Sequence, residues 1–300
     1  MRTIEAKTIL STQNGLNIYR SRRWGLRAFD AKSGNAGQRK VPEEGEVKEN
    51  APELLETSLR RKRRKCMIMI GGMSEPYPKE EEHYGLMRSC LKLIDRYGFG
   101  ATVQSNSALL LRDLDLLVSI HRKTRCTVEM SLCTPDEALG KKLEPDASRV
   151  SERLRVLHSL RDAGIPAAVC LTPFFPFVND DWNQLRELLS VCVDAGLYGL
   201  YHCGFGVTLR ASEQEPFYRE LEECFPGFGE RYRAHYGDRR ELTVPNHEEL
   251  EALCQTICRD YKIEHRPDRI FTYQHAFVDR SAGEQLSLFQ LFPEATDGAG

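Results

Sequence analysis

The segment RVSERLRVLHSLRDAGIPAAVCLTPFFPFVNDDWNQLRELLSVCVDAGLYGLYHC, Arg149–Cys203, decides the fold. It holds two helical stretches, Arg149 to Ala163 and Asp181 to Ala195, and both close on Asp-Ala-Gly followed by an apolar residue. Glycine at that place accepts the left-handed conformation that ends a helix and turns the chain. After each comes a short apolar run, Ala167 to Leu171 and Tyr198 to Cys203, as expected of strands buried on both faces. Alternation of this kind gives parallel strands joined by right-handed crossovers.

The same unit repeats towards the N-terminus. Cys66 to Ile70 reads as a strand, followed by a helix from Glu82 to Tyr97 that ends at Gly98. Ala101 to Gln104 is the next strand, Ala108 to Ile120 a helix, and Thr127 to Leu132 a further strand. Leu16 to Tyr19 supplies the first strand. Val47 to Lys65 supplies the first helix, with Leu54, Leu55 and Leu59 on one face and six basic residues, Arg60 to Lys65, at its end. That run reads either as a solvated helix end complementing the helix dipole or as a phosphate-contacting patch. Six strands alternating with helices predict an α/β protein, a (β/α)6 partial TIM-type barrel with C-terminal helices. Beyond Thr208 the pattern changes to helices over Glu215–Phe225 and His247–Tyr261. The expected organisation is a barrel over 1–210, a helical part packed on it over 211–278 and a flexible tail over 279–300.

Composition sets few limits on function. An apolar fraction of 41%, a charged fraction of 29% and a net charge of −2 are those of an ordinary globular chain, with no overall signature of a nucleic-acid binder. MRTIEAKTIL at the start lacks the apolar core of a signal peptide, and the apolar run Ala167–Val178 is too short to span a bilayer, so a cytoplasmic location is expected. Ten cysteines would then be mostly reduced, and none forms a zinc-type CxxC pair.

Parallel barrels carry their chemistry on the loops after their strands. The first such loop is NIYRSRRWGLRAFDAKS, Asn17–Ser33. Ser74 and Glu75 follow the second strand and either touch a ligand or cap the turn before Pro76. Asn106 and Ser131 have similar places, where a structural role is the more ordinary reading. Cys133, Cys170 and Cys203, with His202, lie at the ends of later strands, either as packing residues or as a replacement metal site. Strand alternation points His202 and Cys203 to opposite sides. Asn179 and Asp180 either point into a substrate site or serve the loop, Asp180 as a helix cap. Glu80, Glu81 and Glu82 with His83 read as an acidic helix start.

Taken in order, these segments resemble the radical S-adenosylmethionine (SAM) proteins of the spore photoproduct lyase-like type, the DNA repair photolyases. The likeness runs from about Glu5 to Phe289. It is carried by EAKTIL (Glu5–Leu10), NIYR (Asn17–Arg20), VKENA (Val47–Ala51), GMSEPY (Gly72–Tyr77), LRDLDLL (Leu111–Leu117), Glu144-Pro145, PFFPFVND (Pro173–Asp180), TLR (Thr208–Arg210) and QLSLF (Gln285–Phe289).

The resemblance implies a 4Fe-4S cluster held by C-x3-C-x2-C and a SAM molecule cleaved reductively on it. Laid without gaps on this chain, the three cysteine positions are Arg22, Leu26 and Phe29. Arginine is permanently cationic, and leucine and phenylalanine have no lone pair to give. Arg22, Leu26 and Phe29 therefore make no metal site. The cofactor-side positions implied are Gly71, Gly72, Ser74, Glu75, Asn106 and Ser131, with Asn106 where relatives have a lysine suited to the SAM carboxylate. Three readings follow: a pseudoenzyme degenerate for SAM cleavage, an active enzyme with cluster ligands relocated to residues such as Cys133 and Cys203, or a non-catalytic scaffold. The last would bind the bacterial sliding clamp through Gln285, Leu286, Leu288 and Phe289, with DNA as the associated partner.

Overall fold

The computed structural model describes residues 1–20, 26, 44–210 and 212–280. Arg22, Phe29 and the whole Gln285–Phe289 motif lie outside the described residues. The described strands are β1 (Arg2–Ile4), β2 (Gly15–Leu16), β3 (Tyr19–Arg20), β4 (Glu46–Lys48), β5 (Met67–Ile70), β6 (Gly100–Gln104), β7 (Cys126–Leu132), β8 (Ala167–Leu171), β9 (Gly199–His202), β10 (Gly206–Thr208) and β11 (Glu241–Thr243). The helices are α1 (Ala51–Arg61), α2 (Glu81–Tyr84), α3 (Leu86–Arg96), α4 (Leu114–Lys123), α5 (Glu137–Leu143), α6 (Val150–Asp162), α7 (Trp182–Asp194), α8 (Gln214–Cys224), α9 (Phe228–Tyr236), α10 (His247–Asp260) and α11 (Pro267–His275).

Six strands form one parallel sheet in the order β2-β5-β6-β7-β8-β9, which is the order of the sequence. The glycines that close α3, α6 and α7 have the left-handed geometry expected of them, with φ of 65°, 72° and 66° at Gly98, Gly164 and Gly196. One face of the sheet is apolar. Ile68, Val103, Val128, Met130, Val169 and Leu200 pack there against Leu55, Leu91, Leu117, Leu157 and Leu189 from the helices. Fully buried side chains of this size each contribute about 1.5–3 kcal/mol, so this face holds the layers together.

The other face is chemically different. Strand alternation puts Thr102, Gln104, Thr127, Glu129, Cys170 and Tyr201 on it, and α11 covers its lower part. Thr102 donates to the Gln274 carbonyl at 2.7 Å, and Arg125 to the carbonyls of Tyr273 and Ala276 at 2.8 and 3.0 Å. A Cβ on Gly199 would lie 3.0 Å from Ile270, so glycine there lets the helix approach the strand.

The N-terminal region departs from the predicted pattern. Val47 is not helical. It sits in β4 between β1 and β3, paired with Thr3 and Tyr19, and α1 starts only at Ala51. Pro52 explains the late start, because proline suits the first helical turn and disfavours helix before it. The predicted strand Leu16–Tyr19 is split likewise: Leu16 joins the large sheet and Tyr19 the small one. The helix predicted from Glu82 breaks at Gly85, with φ of 61°, into α2 and α3. Among the described residues no helix is long and apolar enough to cross a membrane.

Candidate functional site

The C-terminal ends of β5 to β9 open on one cleft of about 970 Å³. Gly71, Gly72, Glu75, Asn106 and Ser131 all line it. Gly71 has φ of 91°, and a Cβ there would fall 1.9 Å from the Gln104 carbonyl oxygen, so only glycine lets these two strand ends approach. Ser74 is placed elsewhere. It is buried and its hydroxyl donates to the Tyr19 carbonyl.

Glu75 ties the loops together. One carboxylate oxygen accepts from the Tyr77 N–H at 3.0 Å and from the Ser105 hydroxyl, and the other from the Asn106 N–H at 2.9 Å. Asn106 passes the linkage on, its side-chain oxygen accepting from the Ser131 N–H at 2.8 Å. The rim is thus a chain of hydrogen bonds across three strand ends. Below it, Arg153 and Glu144 form a pair at 2.8 Å with both side chains 1% exposed, and Arg153 also donates to the Ser131 carbonyl at 2.7 Å.

The root of the Asn17–Ser33 loop is anchored by a second network. Tyr19 gives its hydroxyl to Glu81, and Glu81 also accepts from the Met87 N–H at 3.0 Å and from the Arg112 guanidinium at 2.5 Å. Arg112 spans onward to Asp113 at 3.0 Å, and Arg88 to Asp113 and Asp115 at 2.9 and 2.8 Å. Glu81 and Asp113 are fully buried. Glu81 is therefore a buried anchor and not part of a solvated acidic helix start, because α2 turns it inward beneath β3.

Glu129 is the residue that the strand pattern concealed. It lines the floor of the cleft and is 7% exposed. Tyr201 and Gln104 donate to one of its oxygens at 2.9 and 3.1 Å, and Gln274 to the other at 2.8 Å. Burial raises its carboxyl above the ordinary value, and the three neutral donors hold part of that rise back. A carboxylate in the middle of an otherwise buried strand, CTVEMSL, was the available signal.

The strand-end cysteines separate into two environments. Cys133 is buried in an apolar cluster with Leu26, Phe175 and Phe217, its sulfur 3.5 Å from Glu144. Cys170 and Cys203 both line the cleft, and a thiol–thiol hydrogen bond together with burial raises Cys170 well above the ordinary thiol value. His202 stacks on Phe205, with ring centroids 4.4 Å apart. Among the described residues no group of three or more His, Cys, Asp or Glu is placed to hold a metal ion.

Asn179 is 2% exposed and spends its side chain on the backbone of Phe175, Cys133 and Pro173. The helix cap predicted at Asp180 belongs to its neighbour: Asp181 accepts from the Gln184 N–H at 3.0 Å, whereas Asp180 accepts from the Phe177 N–H at 2.9 Å.

The implied cluster can be tested at Leu26. The side chain there is fully buried among apolar groups and presents only methyls, so the position does not suit an iron ligand.

No family model matches the chain. It is similar to an uncharacterized protein of Mycobacterium tuberculosis, 28% identical over 224 residues, which make up 74% of this chain and 65% of the relative. An uncharacterized protein of Methanocaldococcus jannaschii is 28% identical over 180 residues, 60% of this chain and 63% of the relative. The chain thus spans somewhat less than two thirds of these relatives' length. Among solved structures, spore photoproduct lyase complexed with a dinucleoside spore photoproduct aligns with a TM-score of 0.55 and 13% identity, covering 88% of this chain and 80% of that one. A point mutant of the same enzyme aligns equally well, at 0.55 and 13%. The likeness establishes a shared fold.

Proposed function

We propose that this chain is a cluster-free relative of the spore photoproduct lyase-like radical SAM proteins. On this reading the six-stranded sheet is a partial barrel, and its cleft holds S-adenosylmethionine or a similar adenosyl compound without cleaving it. The observation that carries this reading is Leu26: the middle position of the expected cysteine triad is filled by a side chain packed into the apolar cluster of Phe175 and Phe217. A cluster, when bound, supplies the electron that breaks the sulfonium. Without thiolates at these positions no such step is assigned here.

The cleft's own residues suit an adenosyl ligand. Gly71 and Gly72 bring backbone rather than side chain to the second strand end, and Glu75, Asn106 and Ser131 form a braced polar rim. Relocation of cluster ligands to Cys133 and Cys203 is less well supported, because Cys133 is packed beside Leu26 and Cys203 is paired with Cys170. The sliding-clamp and DNA reading of Gln285–Phe289 is a proposal from the sequence alone, tested by clamp binding before and after changing Leu288 and Phe289 to alanine.

Titration calorimetry with S-adenosylmethionine, on protein as purified and after chelation, tests the main proposal. Saturable binding that survives chelation is the expected result, and no binding in either sample overturns it.

A further inference from the structure

We infer that Glu129 is the recognition carboxylate of the cleft and selects a cationic organic ligand, with its positive centre over the Tyr201 and Phe271 rings. The inference rests on the adenosyl reading above and narrows it to a charged member of that class.

Three observations meet at this place. Glu129 is a carboxylate buried under a cleft of about 970 Å³, and both of its oxygens are held in position by neutral donors, Gln104, Tyr201 and Gln274. No lysine, arginine or histidine of the described residues lies within ion-pair reach of it. An acid buried with only neutral donors among the described residues is costly to fold around, so a site that keeps one has a use for it.

The second observation is the wall. Phe271 is 38% exposed, lines the cleft and meets Tyr201 edge to face at 5.3 Å, while the Tyr201 hydroxyl touches Glu129. A carboxylate beside aromatic faces is the arrangement that stabilises ammonium and sulfonium groups. The third is α11, which carries both Gln274 and Phe271. One helix therefore fixes the carboxylate and supplies the ring.

The remaining cleft side chains near Glu129 are uncharged in their ordinary forms. They are Gln104 from β6, Cys170 from β8, Tyr201 from β9 and Cys203 just after it. Gln274 of α11 bonds Glu129 without being part of the cleft lining, and Tyr198, just before β9, is a further titratable neighbour. Arg125, the residue just before β7, is spent on the carbonyls of Tyr273 and Ala276.

The test compares S-adenosylmethionine, a sulfonium, with S-adenosylhomocysteine, the thioether that lacks this charge. Both are titrated into full-length protein and into Glu129→Gln. The wild type is expected to favour the sulfonium by roughly tenfold or more, and E129Q to lose that preference while still binding the thioether. Equal affinities in the wild type, or a preference that persists in E129Q, overturn the inference while leaving the adenosyl reading intact. Binding of neither probe overturns both.

Should E129Q fail to fold, the wild type alone decides. Its preference is expected to grow as pH rises through the Glu129 titration, since groups common to both probes cancel in the ratio. A ratio independent of pH contradicts the assignment.

Discussion

At the scale of single residues, most of the chain's polar burial braces loops. Arg112 is the strongest case, because it is shared by two fully buried carboxylates, Glu81 and Asp113. Removing one partner of such a pair leaves charge buried and uncompensated, so Arg112→Met is expected to cost about 3–5 kcal/mol in urea unfolding. A loss below about 1 kcal/mol would show the network to be solvated and weak.

Glu129 makes a prediction of opposite sign to the usual carboxylate. Its folded pKa is raised above the ordinary 4.5, so in the interval above 4.5 the folded protein binds more protons than the unfolded chain. Stability contributed at this site therefore falls as pH rises from 4.5 to the raised value, and is flat below and above. Denaturant midpoints of wild type and Glu129→Gln across that interval are expected to diverge with this slope. Parallel curves contradict it.

The sequence exposed Glu75, Asn106 and Ser131 because they follow strands, and all three reach the cleft. It hid Glu129 and Tyr201 because a helical cover over the polar face cannot be read from strand periodicity. Glu81 was hidden for a related reason: three consecutive glutamates look solvated until a partner such as Arg112, 31 residues on, is brought to one of them.

Among elements, α11 has the largest consequence for the site. Ile270 is fully buried against Gly199 and joins Ala168, Cys170 and Tyr201 in one small cluster. Ile270→Ala should cost about 2–5 kcal/mol in chemical denaturation, and should speed the reaction of Cys170 with a thiol reagent in the folded protein. Unchanged stability and reactivity would mean that α11 is not the cover described here.

The five strands from β5 to β9 and the long helices between them were legible, since buried apolar runs and helix-closing glycines are local signals, whereas the short α5 and the break between α2 and α3 were not. Elements defined by distant pairing were not. Val47 reads as the start of the helix that carries Leu54, Leu55 and Leu59, and it is a strand because β1 and β3 flank it. Among the described residues the short β10 and β11 pair only with each other, and they have no run long enough to announce them.

Over the whole molecule, the two edges of the sheet differ in character. The cleft occupies the C-terminal edge. The basic run Arg60–Lys65 enters β5 at the other edge, where Arg60 bonds the Tyr97 hydroxyl at 2.7 Å and Lys65 lies 4.5 Å from the Phe99 ring centre. Composition could give neither placement, because a net charge of −2 averages over both edges. The central claim is that this fold has kept its cleft and lost its cluster. Iron and sulfide content after anaerobic reconstitution, with dithionite-driven SAM cleavage assayed on the same sample, tests it most directly. The account predicts a folded protein with no stoichiometric iron and no 5′-deoxyadenosine. About four irons per chain with 5′-deoxyadenosine formed would contradict it and turn attention to ligands beyond Arg22, Leu26 and Phe29.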